Sequence, residues 1–244
     1  MGELIAVLSG KGGTGKTSVC AGVATALAQN GVSVLCIDCD VGLRNLDIAL
    51  GLSELGALSF LDICTGAYPL SKATPHPLFP SLSFLTAPIN CLADDIDPFA
   101  FAAMLDQARN TYDYVLLDAP AGLDAGFRLA AKFSDRVILV TGPDPASIRD
   151  AARAGEVLDL MGKGNVRLIV NRLSKKAVKT VRLTVDDIMD KAGLPLLGIV
   201  PEDPDMLLAV CYRLPLLAHT RKGAAKAFRR IAKRIMGLSV PISL

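Results

Sequence analysis

The run Gly10-Lys11-Gly12-Gly13-Thr14-Gly15-Lys16-Thr17 contains the residue types that hold a chain of phosphates. Glycines let backbone N–H groups turn inward and approach phosphate oxygens closely. The lysine and hydroxyl that close the run suit the β- and γ-phosphates and Mg²⁺ respectively. Apolar Leu4-Ile5-Ala6-Val7-Leu8 precedes the run and an Ala-rich helical pattern follows it. That is the strand–loop–helix setting this chemistry needs, with a helix dipole aimed at the anion. The expected ligands are ATP and Mg²⁺. Gly12, Gly13, Thr14, Gly15, Lys16, Thr17 and Ser18 form the expected cradle, and Thr17 offers its hydroxyl to the metal. Lys11 is a second cation that a generic phosphate loop does not require.

Carboxylates come next. Asp118 ends the apolar run Tyr114-Val115-Leu116-Leu117, the arrangement that holds an acid near Mg²⁺ in phosphate-loop enzymes. Ala119-Pro120-Ala121-Gly122 behind it is a small, turn-prone loop suited to sensing a γ-phosphate. Asp38 and Asp40 close another apolar run, Val34–Ile37. They either cap the loop that follows or serve hydrolysis, one orienting the attacking water and the other supporting the Mg²⁺ shell.

The elements that must position these groups alternate along the chain. Strands are expected near 3–9, 33–38, 82–87, 113–118, 135–141, 166–171 and 196–200. Helices are expected near 15–30, 98–110, 124–132, 146–161, 184–192, 204–210 and 222–236. Strands that are apolar throughout, alternating with helices, predict a doubly wound α/β fold with a mostly parallel sheet covered on both faces. The phosphate loop, Asp38, Asp40 and Asp118 then all fall at carboxyl ends of strands, where such sheets bind ligands. The Pro-rich stretch 66–80 reads as an irregular excursion. One domain spanning residues 1–244 is expected.

Bulk properties narrow the classes. Apolar residues make up 51% of the chain, enough for a sheet buried on both faces, while aromatics are 5% and Trp is absent, which disfavours a base-stacking platform. No apolar run reaches the length of a membrane span, and a strand at the N-terminus leaves no room for a cleaved leader, so a reducing cytosolic setting is expected. The six cysteines include one C-x-x-C, Cys36 to Cys39, with no second copy; core or surface cysteines are the expected reading, against a metal or redox role. Net charge is +2, but residues 221–244 carry seven basic side chains and no acid, leaving the remainder at −5.

The phosphate loop resembles the deviant Walker A motif of the MinD/ParA ATPases, whose early lysine corresponds to Lys11. Asp40-Val41-Gly42-Leu43-Arg44-Asn45-Leu46-Asp47 resembles the switch I segment of MinD-like members, and Asp118-Ala119-Pro120-Ala121-Gly122 their switch II. Ser147-Ile148-Arg149-Asp150 and Val200-Pro201-Glu202-Asp203 match further blocks, and the resemblance runs from about residue 3 to about 238. It implies a homodimer clamped around two ATP molecules, in which Lys11 reaches the phosphates of the other copy. It also implies that Asp40 orients the hydrolytic water, that Thr17 binds Mg²⁺ directly and Asp118 through its water shell, and that Asn171, Arg172, Pro201, Glu202 and Asp203 lie on the adenine side. Lys11, Lys16 and Asp40 are thus the implied catalytic set, and Thr17, Asp38 and Asp118 the implied metal set.

The implied task is placement of the division septum by a switch that dimerises on ATP and is reset by hydrolysis, with MinC- or MinE-like partners, in the cytoplasm or on the inner face of the membrane. The alternatives are a ParA-like ATPase positioning DNA or another cargo such as flagella, and a regulator that hydrolyses poorly. Nucleic acid is the less favoured partner. Three departures bear on this. Ala152 stands where MinD-like chains usually carry a second acid of the partner surface. Cys211-Tyr212-Arg213-Leu214-Pro215 stands where they tend to have an Asn-x-Gly-x-Pro turn. Residues 222–236 align with the last domain helix, and only Gly237 to Leu244 follow, short for a separate membrane anchor. That helix is amphipathic and basic; it is expected to dock by its apolar face, with contact to anionic lipid as the alternative.

Overall fold

The computed structural model describes residues 1–41, 43–89, 91, 95–174 and 184–242. Gly42 of the switch I resemblance and the last two of the eight C-terminal residues lie outside the described residues. In chain order the elements are β1 (Glu3–Leu8), α1 (Lys16–Gln29), β2 (Val34–Asp38), α2 (Leu46–Ala49), α3 (Phe60–Cys64), a 3-10 turn (Leu70–Lys72), β3 (Thr74–His76), β4 (Phe79–Leu85) and α4 (Pro98–Thr111). There follow β5 (Tyr114–Asp118), α5 (Ala125–Phe133), β6 (Arg136–Thr141), α6 (Pro145–Leu160), β7 (Val166–Leu173), α7 (Val185–Ala192), β8 (Leu196–Pro201), α8 (Asp205–Cys211), α9 (Leu216–His219) and α10 (Gly223–Ile235).

The strands form one sheet in the order β3-β4-β2-β5-β1-β6-β7-β8. Every neighbouring pair is parallel except β3 with β4. Successive strand residues point to opposite faces, and both faces are apolar. Leu4, Ala6 and Leu8 of β1 join the core under α3–α7, while Ile5 and Val7 join the core under α1, α2 and α8–α10. This is the doubly wound sheet expected from the alternation of runs. Strand order reverses at β1, with β5 on one side and β6 on the other, so the phosphate loop leaves the sheet at its topological switch point.

The stretch 66–80 departs from expectation. It holds the 3-10 turn and the edge strand β3, and β4 begins at Phe79, three residues before the expected strand. Pro75 is tolerated because β3 has a neighbour on one side only, and the register shifts between Pro75 and His76. His76 fixes the ribbon: its Nε2 lies 2.9 Å from the Leu50 carbonyl and its Nδ1 accepts the Leu78 N–H.

Helix α10 docks as expected. Ala224, Ala225, Ala227, Phe228, Ile231, Ala232 and Ile235 are buried against α1 and β8. The fit relies on glycines in the facing elements. A Cβ on Gly22 of α1 would meet the Phe228 ring at 2.4 Å, and one on Gly198 of β8 would meet Ile231 at 2.5 Å.

Candidate nucleotide site

The loop after β1 turns through two left-handed glycines, Gly13 (φ 81°) and Gly15 (φ 83°), and α1 starts immediately behind them. A Cβ on Gly12 or Gly13 would touch nothing among the described residues, which leave the concave side of the loop open. The opposite side is closed. A Cβ on Gly10 would sit 2.2 Å from the Asp150 carbonyl of α6, and one on Gly15 would sit 2.3 Å from Asn171 Nδ2. Lys16 and Thr14 are buried, and Thr14 Oγ1 is a buried hydroxyl oxygen without a hydrogen-bond partner among the described residues. An orphaned hydroxyl in a loop of inward-turning N–H groups is the polar lining a phosphate would satisfy.

Sheet register brings the acids to this loop. Asp38 at the end of β2 lies beside Asp118 at the end of β5, and Asp118 lies beside Val7 of β1. Lys16 Nζ donates to Asp118 Oδ1 at 2.7 Å, an ion pair that is 6% and 1% exposed. Burial pushes the Asp118 carboxyl above its ordinary range, against the pull of Lys16 and a hydrogen bond from Thr17, with Asp40 close enough to add repulsion.

Asp38 is fully buried, and its carboxyl is pushed up to about 6, first by burial and then by the charge of Asp118. Its oxygens accept the backbone N–H groups of Asp40, Asn45 and Leu46. Of the two readings open for Asp38, the hydrogen bonds are those of the loop cap: it fastens Asp40, Asn45 and Leu46 to the sheet. Asp40 is half-buried on that loop.

Lys11 is exposed and does not turn into its own loop. Its Nζ lies 3.7 Å from Oδ1 of Asp144, the N-cap of α6, whose carboxylate also accepts from Ser147 N and Oγ. Sequence reasoning did not foresee this partner. An acid at an N-cap just before Pro145 was the available sign, but nothing local linked it to Lys11.

Residues expected on the adenine side also come together. Ser18, Asn171, Arg172, Pro201, Glu202 and Asp203 line one cavity of about 670 Å³, together with Pro204, Met206 and Leu207, which the sequence reading passed over. The register of β7 on β8 shifts between Val170 and Leu173, and Arg172 takes φ 56°, rare for a side chain larger than glycine. Such an irregularity re-aims side chains at a sheet end. Asp203 is a fastener: its oxygens accept Asp205 N and Ala224 N, the latter at the start of α10.

Cys36 and Cys39 are buried, and no disulfide joins any of the six cysteines. Among the described residues no group of three His, Cys, Asp or Glu side chains could hold a metal by itself. That suits Mg²⁺, which is usually bound by one or two protein ligands plus substrate phosphates and water.

Residues 5–216 match the model of the CobQ/CobB/MinD/ParA nucleotide binding domain. The septum site-determining protein MinD of Synechocystis sp. is 36% identical over 244 residues, covering 99% of this chain and 92% of the relative. Among solved structures, a chain of the MinC:MinD cell division protein complex of Aquifex aeolicus superposes with a TM-score of 0.91 at 36% identity, covering 99% of this chain and 98% of that one. MinD of Pyrococcus horikoshii complexed with Mg-ADP superposes at 0.83 with 28% identity, covering 96% of each chain.

Proposed function

The chain belongs to the CobQ/CobB/MinD/ParA nucleotide-binding family, and from that premise we propose that it is a MinD-like, Mg²⁺-dependent ATPase switch that places the division septum. The observation that carries the reading is the buried Lys16–Asp118 pair at 2.7 Å, which brings the phosphate loop and the β5 carboxylate to one point beside an open glycine cradle.

ATP seats its phosphates on the N–H groups of residues 12–18, with Lys16 on the β- and γ-phosphates and the base in the cavity at Asn171 and Pro201. Thr17 and Asp118 are the residues that would hold Mg²⁺, with Asp38 behind them; when bound, the ion neutralises charge on the phosphate oxygens. Asp40 orients a water and takes its proton as the water oxygen bonds to the γ-phosphorus. The bond from that phosphorus to the β,γ-bridging oxygen breaks, giving ADP and inorganic phosphate. Lys11 acts across an ATP-dependent homodimer, leaving Asp144 to meet the phosphates held by the other copy. An exposed pair 3.7 Å long is weak enough to be exchanged in this way.

A MinC-like protein is the partner that fits, on the basis of the Aquifex aeolicus complex. Ala152 on α6 weakens or alters that surface, because it offers no charge where Arg149 is exposed and Asp150 half-buried. No helix among the described residues is long and apolar enough to cross a membrane. Contact of residues 222–236 with anionic lipid is confined to the basic face, since the apolar face is already buried.

The test is ATP turnover. Asp40→Ala should keep ATP affinity within about twofold while lowering kcat by about 10²-fold or more. Unchanged kcat would remove Asp40 from the role of water positioner.

A further inference from the structure

Asn171 stands at the junction of the two halves of the site. It is 5% exposed and lines the cavity beyond the phosphate loop. Its Nδ2 donates to the Thr14 carbonyl at 2.8 Å, inside the loop itself. The same amide nitrogen fills the space where a Cβ on Gly15 would lie, 2.3 Å away, and Gly15 is the left-handed residue from which α1 starts. Gly15 supplies no side-chain cap to α1. Asn171 lies within the register shift of β7 on β8, between Val170 and Leu173.

We infer that Asn171 is a positioning residue of the phosphate loop: through the Thr14 carbonyl and its contact with Gly15 it fixes the loop's phosphate-binding shape, and so couples the occupied cavity to the phosphate cradle. The inference deepens the nucleotide reading above and rests on it. A residue that served the base alone would matter only to ligands that carry a base. A residue that shapes the loop matters equally to a bare chain of phosphates.

The physical reasoning is one of preorganisation. Peptide N–H groups bind phosphate well only if the loop is already turned inward, because otherwise ordering the loop consumes binding free energy. The Thr14 carbonyl belongs to the peptide linking Thr14 to Gly15, so holding that oxygen sets the orientation of the Gly15 N–H on the same peptide plane. A buried hydrogen bond between two nearly rigid groups does this at little entropic cost.

The experiment compares Mg²⁺-loaded ATP with Mg²⁺-loaded tripolyphosphate, which has no base, by calorimetry on the full chain. The variants are Asn171→Ala and Asn171→Leu; leucine refills the buried volume without a donor, so a folded comparison is available, and melting temperature checks each protein. Both variants should bind tripolyphosphate about tenfold more weakly, with ATP weakened by a similar factor. Tripolyphosphate binding equal to wild type, with ATP alone weakened, would overturn the inference and leave Asn171 as a base contact. Wild-type protein that binds neither ligand would instead overturn the nucleotide reading, and this inference with it.

Discussion

At the residue scale the site depends on one buried cation among three acids. Lys16 partners Asp118 directly, and Asp38 and Asp40 stand close by. Removing one member of a buried pair leaves the other uncompensated, which costs more than the pair contributes. Lys16→Ala should therefore destabilise the protein without nucleotide by about 3 kcal/mol at pH 7 in urea unfolding. The sign of its pH dependence follows from the acid left behind. Without Lys16 the folded-state pKa of Asp118 rises further above its unfolded value, so stability falls as pH rises through that pKa and recovers on acidification. The deficit should be smaller at pH 5 than at pH 7; a deficit equal at both would mean that Asp118 is not the uncompensated group. Much of this site was legible in the sequence, because the phosphate loop and Asp118 are local patterns whose spacing carries their chemistry. The choice between the two uses of Asp38 was not. Its three N–H donors come from residues up to eight positions away, and only the folded loop shows that both oxygens face them.

At the element scale, packing between α1 and α10 holds the phosphate loop's own helix in place. Gly22→Ala puts a methyl group 2.4 Å from the Phe228 ring. Helix propensity alone would favour alanine by about 1 kcal/mol, whereas overpacking costs about 1–3 kcal/mol. The clash should win, with a net loss near 1 kcal/mol by chemical denaturation; a stabilised variant would show that α10 yields easily. At the far edge, the ribbon of β3 and β4 was hidden by its prolines, since a proline-rich stretch with one three-residue strand has no periodicity to read. His76 makes it testable. Burial holds this imidazole below its ordinary pKa, so the folded state favours the neutral ring. Stability should be full above the unfolded pKa of about 6.5 and should be lost as pH falls from there toward the lower folded value. His76→Gln should flatten the fall in melting temperature between pH 7 and pH 5, and an unchanged slope would assign the acid sensitivity elsewhere. The longer elements were legible because fully apolar strands and long amphipathic helices carry strong patterns. The short helices α2, α3 and α9 carry too few residues for any.

At the scale of the whole molecule, the central claim is a switch: ATP joins two copies and hydrolysis parts them. The geometry suits it because Lys11 is exposed and, among the described residues, its ammonium is placed 3.7 Å from Asp144. The sequence showed Lys11 as a surplus cation, but a partner across an interface leaves no pattern within one chain. The basic face of α10 was legible as a charge run, and docking of its apolar face leaves mainly that basic face to solvent. Sedimentation of Asp40→Ala protein, which should retain its ATP, tests the switch most directly. With Mg-ATP it should sediment as a dimer and with Mg-ADP as a monomer. The double variant Lys11→Ala/Asp40→Ala should bind ATP yet remain a monomer with either nucleotide. A double variant that dimerises with ATP as well as Asp40→Ala does would contradict the account.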